Sequence, residues 1–369
     1  MIFSCEKDVL SLAVNTVIRA AASKSNMPIL EGILISTDSD CLILTANNLE
    51  YGIEYRLPAT VTQEGSAVLD AKIFSEIVRK LPNATVSVEV DEGLLAVIKC
   101  QKSLYNIKGQ NPVDFPDLPP IKESNEFRVP SDLLKSMVRA TYHAVSLKND
   151  KPVLTGSLFE ISEGKLCVVA LDGFRMAIRK EAIAGAPDGL KFIVPGKTLN
   201  EIIRMFGEEE KNIEIKVSDK YVSFSYEGVR LISRLIGGEY FDYKKIIPGD
   251  CKYKIKMNLS DLETSVSRAD PIVSLDVFKN PVRMTVRDDT VTIDCMTAAG
   301  RVSDVIEIEE SGAAIEMGFN QKYLHDALSA CESEKIIIEL NGELNPCIIK
   351  PEDGEEFLYM VLPVRLKKE

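Results

Sequence analysis

The sequence predicts an α+β fold of three tandem domains, each built from two strand–helix–three-strand halves. Two repeats carry that prediction. Hairpin-like stretches beginning at Gly32, Gly156 and Asn280 read alike and stand 124 residues apart each time. Amphipathic segments AKIFSEIVRKL, KTLNEIIRMF and KYLHDALSAC, aligned on Leu81, Phe206 and Cys331, recur at 125. A spacing found twice at one value is the mark of tandem units. The 369 residues divide into thirds of 123, a comfortable size for a domain with its own core.

The elements follow in order. In the first third, VLSLAVNTVIRAA sets Leu10, Ala13, Val14, Val17 and Ile18 on one stripe at helical spacing. In the second, Pro130-Ser131-Asp132 opens a helix carrying Leu133, Leu134, Met137 and Val138, with Ser131 or Asp132 of the capping type. In the third, Ser260-Asp261 precedes Leu262 and Val266. Strand pairs follow the second helices, TVSVEV with LLAVIK and NIEIKV with YVSFSY. Residues 157–161 and 165–170 read as strands around Ser-Glu-Gly, and the Leu171-Asp172-Gly173 turn leads into a third. Boundaries fall near 122, after NPVDFPDLPPIKES, and near 250, after IIPGD. The expected domains are 1–122, 123–250 and 251–369.

At 45% hydrophobic and 27% charged, the composition is that of an ordinary globular protein. No apolar run reaches the roughly 18 residues of a membrane helix. The opening MIFSCEKDVL puts Glu6 and Asp8 where a signal peptide needs an apolar core, so a cytoplasmic protein is expected. Its eight cysteines are never closer than sixteen apart, which leaves no C-x-x-C pair; reduced, mostly buried thiols are expected.

A net charge of −12 argues by itself against a tight grip on nucleic acid. The charge is uneven, however. Helical segments 8–24, 72–81, 131–148 and 197–206 carry +1, +2, +2 and +1, while 260–270 and 322–333 carry −2 and −1. The remainder therefore holds −15. Lys72, Arg79, Lys80, Lys135, Arg139, Lys197 and Arg204 lie largely off the apolar stripes, a weakly basic helical face against an acidic exterior.

Catalytic patterns are missing from the sequence. There is no phosphate-binding loop, dinucleotide fingerprint, H-E-x-x-H or EF-hand loop. The two histidines, His143 and His325, fall on predicted helices of different repeats with no nucleophile at a telling spacing. Asp172 near Arg175 reads as a turn carboxylate accepting backbone N–H groups. No catalytic residue, metal site or cofactor is expected, and the chain does not read as an enzyme.

The whole chain resembles the bacterial DNA sliding clamps, the beta subunits of DNA polymerase III. The resemblance rests on NMPILEGILI from Asn26, VLTG from Val153 and LDGFRM from Leu171. It extends to GEYFDYKKIIP from Gly238, GFNQKY from Gly318 and the terminal YMVLPVRL from Tyr359. It implies three DNA-clamp domains per chain, helices lining a ring, sheets outside, and closure as a head-to-tail homodimer. Ring size agrees. Six helices at ~10 Å spacing leave a hole of about 9 Å and twelve leave roughly 28 Å, while a duplex is roughly 20 Å wide. One chain is too small to encircle DNA and two suffice. A ring held by topology needs only a thin positive lining and no base readout.

By resemblance, Lys24, Lys72, Arg79, Lys148, Asn149, Lys197 and Arg204 face double-stranded DNA. The net-negative helices of the third domain depart from that pattern. The resemblance also implies a hydrophobic pocket for short linear peptides of the replicative polymerase, the clamp loader and repair factors. Leu154, Thr155, Leu171, Gly173, Arg175, Met176, Phe241, Ile246, Met360 and Leu362 would line it, with Asn320, Tyr323, Pro346, Pro363 and Arg365 beside it. Aliphatic and Met side chains make an adaptable slot, and a few polar groups orient the ligand. Phe174 stands where many relatives have His, and Phe241 where many have Pro. The dimer contact would set Tyr105 and Ile107 against Ile272 and Val273, with Asp304 nearby.

Two other classes compete with this expectation. One is a repeat β-scaffold that binds peptides and never encircles DNA; the other is an enzyme using His143 or His325 with nearby carboxylates.

Overall fold

The computed structural model describes the chain except for residues 123, 149, 208–210, 276–279, 310, 311 and 367–369. The first repeat runs β1 (Ile2–Glu6), α1 (Lys7–Val17), β2 (Gly32–Asp38), β3 (Cys41–Asn47), β4 (Tyr51–Pro58) and β5 (Thr60–Gln63). Its second half is β6 (Gly65–Asp70), α2 (Ala71–Lys80), β7 (Thr85–Val90), β8 (Leu95–Cys100) and β9 (Ser103–Lys108). The central repeat has β10 (Asn125–Pro130), α3 (Ser131–Tyr142), β11 (Gly156–Ser162), β12 (Lys165–Leu171) and β13 (Arg175–Ala182). There follow β14 (Lys191–Pro195), α4 (Gly196–Met205), β15 (Asn212–Val217), β16 (Tyr221–Tyr226) and β17 (Val229–Arg234). The third repeat has β18 (Tyr253–Asn258), α5 (Leu259–Arg268), α6 (Asp270–Ser274), β19 (Val282–Arg287), β20 (Thr290–Thr297) and β21 (Gly300–Glu307). It closes with β22 (Ala314–Phe319), α7 (Gln321–Ser329), β23 (Lys335–Leu340), β24 (Cys347–Pro351) and β25 (Phe357–Val361). The six strand–helix–three-strand halves are all present; β5 and α6 are additions that the pattern does not foretell.

The chain packs as two compact units, Met1–Asp132 with Arg204–Leu235, and Leu133–Ile203 with Ile236–Glu369. The first holds a five-stranded sheet, β5-β1-β7-β8-β9, and an eight-stranded one, β10-β15-β16-β17-β4-β3-β2-β6. The second holds β14-β11-β12-β13-β25-β24-β23-β18 and a four-stranded sheet, β21-β20-β19-β22. Third strands join the repeats: β4 pairs with β17 and β13 with β25, both antiparallel. Among the described residues, the third strands β9 and β21 each have one neighbour and end their sheets.

Burial follows the sequence pattern. β7 and β8 alternate buried and exposed because one face packs on helices, where Leu10, Val14, Phe74 and Val78 are buried. In β11 and β12, by contrast, nearly every residue is buried, so both faces of the sheet are covered there. The turn between them uses Glu163 and Gly164, both at positive φ, the backbone that a two-residue mirror-image turn requires.

Two helices stop short of the sequence expectation. The stretch 8–24 is helical to Val17 and tightens into a 3-10 turn at Ile18–Ala20; Ala21 is already extended. The stretch 131–148 ends at Tyr142, where Ala144 and Val145 donate three residues back to Thr141 and Tyr142. Lys24 and Lys148 therefore stand on loops and not on helix faces. The stretch 260–270 is interrupted as well, α5 ending at Arg268 and α6 starting afresh with Pro271 in its first turn.

Candidate functional site

The second covered face of β11–β13 is apolar. Leu158, Cys167, Val169, Leu171, Met176 and Ile178 form one cluster there with Leu154, Ile193, Tyr243, Ile348 and Met360. Val153, Tyr240 and Ile247 pack against it, so the segment after β17 returns over the sheet. Four residues expected of a peptide slot, Leu154, Leu171, Met176 and Met360, sit in this cluster at 5%, 6%, 1% and 5% exposure. Met176 and Met360 are register partners across β13–β25. Phe241 and Ile246 stand exposed beside the cluster, and Lys151 Nζ lies 4.7 Å from the centre of the Phe241 ring. Thr155 is half-buried, its hydroxyl donating to Pro152 O; Leu362, Pro363 and Pro346 are half-buried and Arg365 exposed.

The polar end is built by a turn and a helix start. Asp172 Oδ1 accepts the N–H groups of Phe174 and Arg175 at 2.9 and 3.1 Å, and Gly173 supplies φ +90. The turn aims Arg175 at α7. Its Nε donates to Asp172 Oδ2 at 3.1 Å, its Nη1 to Asp326 Oδ2 at 2.6 Å, and its guanidinium lies 4.3 Å from the Tyr323 ring centre. Asn320 caps α7, its Oδ1 accepting the Tyr323 N–H at 3.2 Å. Phe174 stacks on Tyr323 at 6.1 Å between centroids. The tail is laid alongside: Leu362 N–H donates to Phe174 O, and Val364 N–H to Gly318 O. A Cβ on Gly318 would lie 2.8 Å from Val364 O, which is why that position is a glycine. A cleft of about 490 Å³ opens here, walled by Phe174, Arg175, Asn320, Tyr323, Lys148 and Val273 among others. The sequence reading missed Lys151, Tyr240, Tyr243 and Asp326. The two tyrosines were legible as linker aromatics, whereas nothing in the sequence tied Asp326 to Arg175.

The first repeat has the same cluster in smaller form. Ile29, Leu30, Val68 and Phe115 stand 124 or 125 positions before Val153, Leu154, Ile193 and Tyr240. Asn47, however, replaces Leu171, and its side chain is occupied with Leu49 N–H and Pro116 O. Gly52 replaces Met176, where a Cβ would overlap the Leu118 side chain. An amide and a bare backbone take the place of the two apolar side chains.

The basic residues are exposed: Lys24 and Lys148 on loops, Lys72 and Arg79 on α2, Lys197 and Arg204 on α4. Arg79 pairs with Glu76 at 2.5 Å. Asn149 lies outside the described residues. On β9, Leu104 and Tyr105 are exposed and Ile107 half-buried; on α6, Ile272 and Val273 are half-buried. Asp304 on β21 accepts Arg268 Nη1 at 2.6 Å.

The two histidines line one cavity. His143, in the turn after α3, and His325 on α7 line a 260 Å³ cavity with Arg139, Asp326, Ser329 and Glu332. Burial, then the charge of Arg175, lowers the His143 pKa to about 4 against the opposing pull of Asp326. The imidazole is therefore neutral at pH 7. Asp326 is engaged by Arg175, Glu332 by Arg179, and the Ser329 hydroxyl donates to Glu263.

Repeated halves joined through third strands define a clamp-type protein. The DNA polymerase III beta subunit pattern matches throughout, its N-terminal domain at 1–119, central domain at 128–242 and C-terminal domain at 244–365. The chain belongs to the DNA polymerase III beta subunit family, the beta sliding clamps. It is 32% identical to the beta sliding clamp of Halalkalibacterium halodurans, over 99% of this chain and 100% of that one. It is 31% identical to that of Bacillus subtilis with the same coverage. The crystal structure of the Bacillus subtilis DNA polymerase sliding clamp superposes with a TM-score of 0.95 at 31% identity, covering all of both chains. The beta subunit structure from Streptococcus pyogenes gives 0.94 at 26%, over 99% and 100%.

Proposed function

We propose that two copies of this chain close head to tail into a ring around duplex DNA and tether the replicative polymerase, the clamp loader and repair factors. Membership of the sliding-clamp family makes the chain a processivity factor, and the family acts as a non-catalytic scaffold. This chain accordingly has no turnover of its own and needs no cofactor; it works on DNA in the cytoplasm. Its domains divide at 122 and 250. Lys24, Lys72, Arg79, Lys148, Asn149, Lys197 and Arg204 face the duplex without reading bases. The groove over Leu154, Leu171, Met176 and Met360, rimmed by Phe241, Ile246 and Leu362, takes the partners' peptides, and Arg175, Asn320 and Tyr323 orient them.

One observation supports the ring above the others. Four of the six third strands are paired, β4 with β17 and β13 with β25, which leaves β9 and β21 as open edges of one chain. The same pairing made between copies joins β9 of one to β21 of the other, and with two copies it is made twice. Tyr105 and Ile107 then meet Ile272 and Val273, while Asp304 stays with Arg268.

Sedimentation tests the closure. The wild-type chain sediments as a dimer, and Tyr105→Asp or Ile272→Asp each gives monomer. A mixture of those two variants recovers a dimer through its one undamaged contact, which only a head-to-tail arrangement allows. No association in the mixture would rule the arrangement out.

A further inference from the structure

Glu160 lies on β11 at 4% exposure, and the groove does not use it directly. Its carboxylate is held from two sides. Lys191, its register partner on β14, reaches Oε1 at 2.8 Å. From the returning segment, Tyr243 OH donates to Oε2 at 2.5 Å and Lys244 Nζ lies 3.3 Å from Oε1. Burial alone would raise this carboxyl's pKa. The hydrogen bonds of Lys191 and Tyr243, with the charges of Lys244 and Lys191, outweigh that and bring it to about 2, so the anchor stays ionised at neutral pH.

Tyr243 is also bonded to both rim residues through the backbone. Its N–H donates to Phe241 O at 2.8 Å, and Ile246 N–H donates to Tyr243 O at 3.1 Å. Phe241 and Ile246 are themselves 39% and 42% exposed, so their own packing holds them weakly. We propose that Glu160 is a positioning residue: by gripping Tyr243 and Lys244 it fixes the 241–246 turn against the sheet and sets the Phe241 and Ile246 rim before a peptide arrives. The inference rests on reading this groove as the peptide site. A preset rim keeps the competent state dominant; releasing it multiplies the apparent affinity by the fraction that remains competent, which weakens binding.

The chain contains no tryptophan, so Phe241→Trp places a single indole on the rim. In that background, Glu160→Gln and Tyr243→Phe are compared with the parent by time-resolved anisotropy without ligand. A fluorescein-labelled C-terminal peptide of a bacterial replicative polymerase then reports binding kinetics. The expected result is a more mobile indole in both variants and affinity about 3- to 10-fold weaker, carried by a slower on-rate at unchanged off-rate. A general loss of packing would raise the off-rate instead, and that outcome overturns the proposal. So does an indole as immobile as in the parent, or full affinity with a mobile indole. Tyr243→Phe keeps the ring in the cluster and removes only the hydroxyl, so it decides the matter if Glu160→Gln misfolds. Met360→Ala in the same assay separates the two claims. If it too binds normally, the groove reading has failed and indole mobility alone decides the anchor.

Discussion

His143 offers a prediction whose size can be worked out from its surroundings. The imidazole sits edge-on to the Tyr359 ring, 5.6 Å between centroids, and its buried Nδ1 has no hydrogen-bond partner among the described residues. Its pKa is lowered to about 4, by burial first and the Arg175 charge second, whereas the unfolded chain restores about 6.5. Unfolding then takes up a proton below pH 6.5. The stability carried by the neutral ring is complete above that pH and is lost as pH falls from 6.5 towards 4. Between pH 7.5 and pH 5 the loss is about 2 kcal/mol, from 1.36 kcal/mol per pKa unit. His143→Phe keeps an aromatic ring against Tyr359 and removes the titration. Urea unfolding of both proteins across this range should show the variant gaining about 2 kcal/mol on the wild type by pH 5. Carboxylates titrate in both and cancel. Parallel pH dependence in the two proteins would refute the buried neutral imidazole.

Other expectations follow from the same region. Arg175→Ala leaves the Asp172 and Asp326 carboxylates, 13% and 25% exposed, without their shared cation. The cost should be about 2–4 kcal/mol in denaturant unfolding. Arg175→Lys should recover only part, because one ammonium replaces a fork. In Arg175→Ala the His143 pKa should also rise from about 4, an NMR titration simplified by the chain's two histidines. Leu362→Ala and Met360→Ala should weaken a polymerase tail peptide about tenfold by fluorescence anisotropy, near 1.4 kcal/mol, with the dimer intact in sedimentation. Met360, being 5% exposed, should also lose about 2–4 kcal/mol of stability.

Much of the fold was legible because it is repeated. Helical segments and strands recurring at constant spacing left little freedom, whereas the burial of β12 on both faces came only with the structure. Helix ends were less legible. Lys24 and Lys148 close the segments 8–24 and 131–148 that read as helical in the sequence, yet the helices end with 3-10-type bonds several residues earlier. Within the site, Leu154, Leu171, Met176 and Met360 were legible only through the family resemblance; residue type alone marks them as core, and all four are buried. The pairings were not legible. Glu160 with Tyr243 and Arg175 with Asp326 join residues 83 and 151 positions apart, His143 and His325 line one cavity from 182 positions apart, and no periodicity encodes them. Contrast between repeats is informative too: Asn47 and Gly52 of the first repeat stand where the central repeat has Leu171 and Met176.

Retention on DNA tests the ring most directly. The protein is loaded on a nicked circular plasmid with a bacterial clamp loader and ATP, washed at high salt, and the plasmid is then cut once. The account predicts survival through the wash and release on cutting, because a closed ring is held by topology and a chain of net charge −12 grips phosphates weakly. Loss in the wash would mean contact without encirclement and return the chain to the peptide-binding scaffold class. Retention after cutting would mean tight direct binding and contradict the account equally.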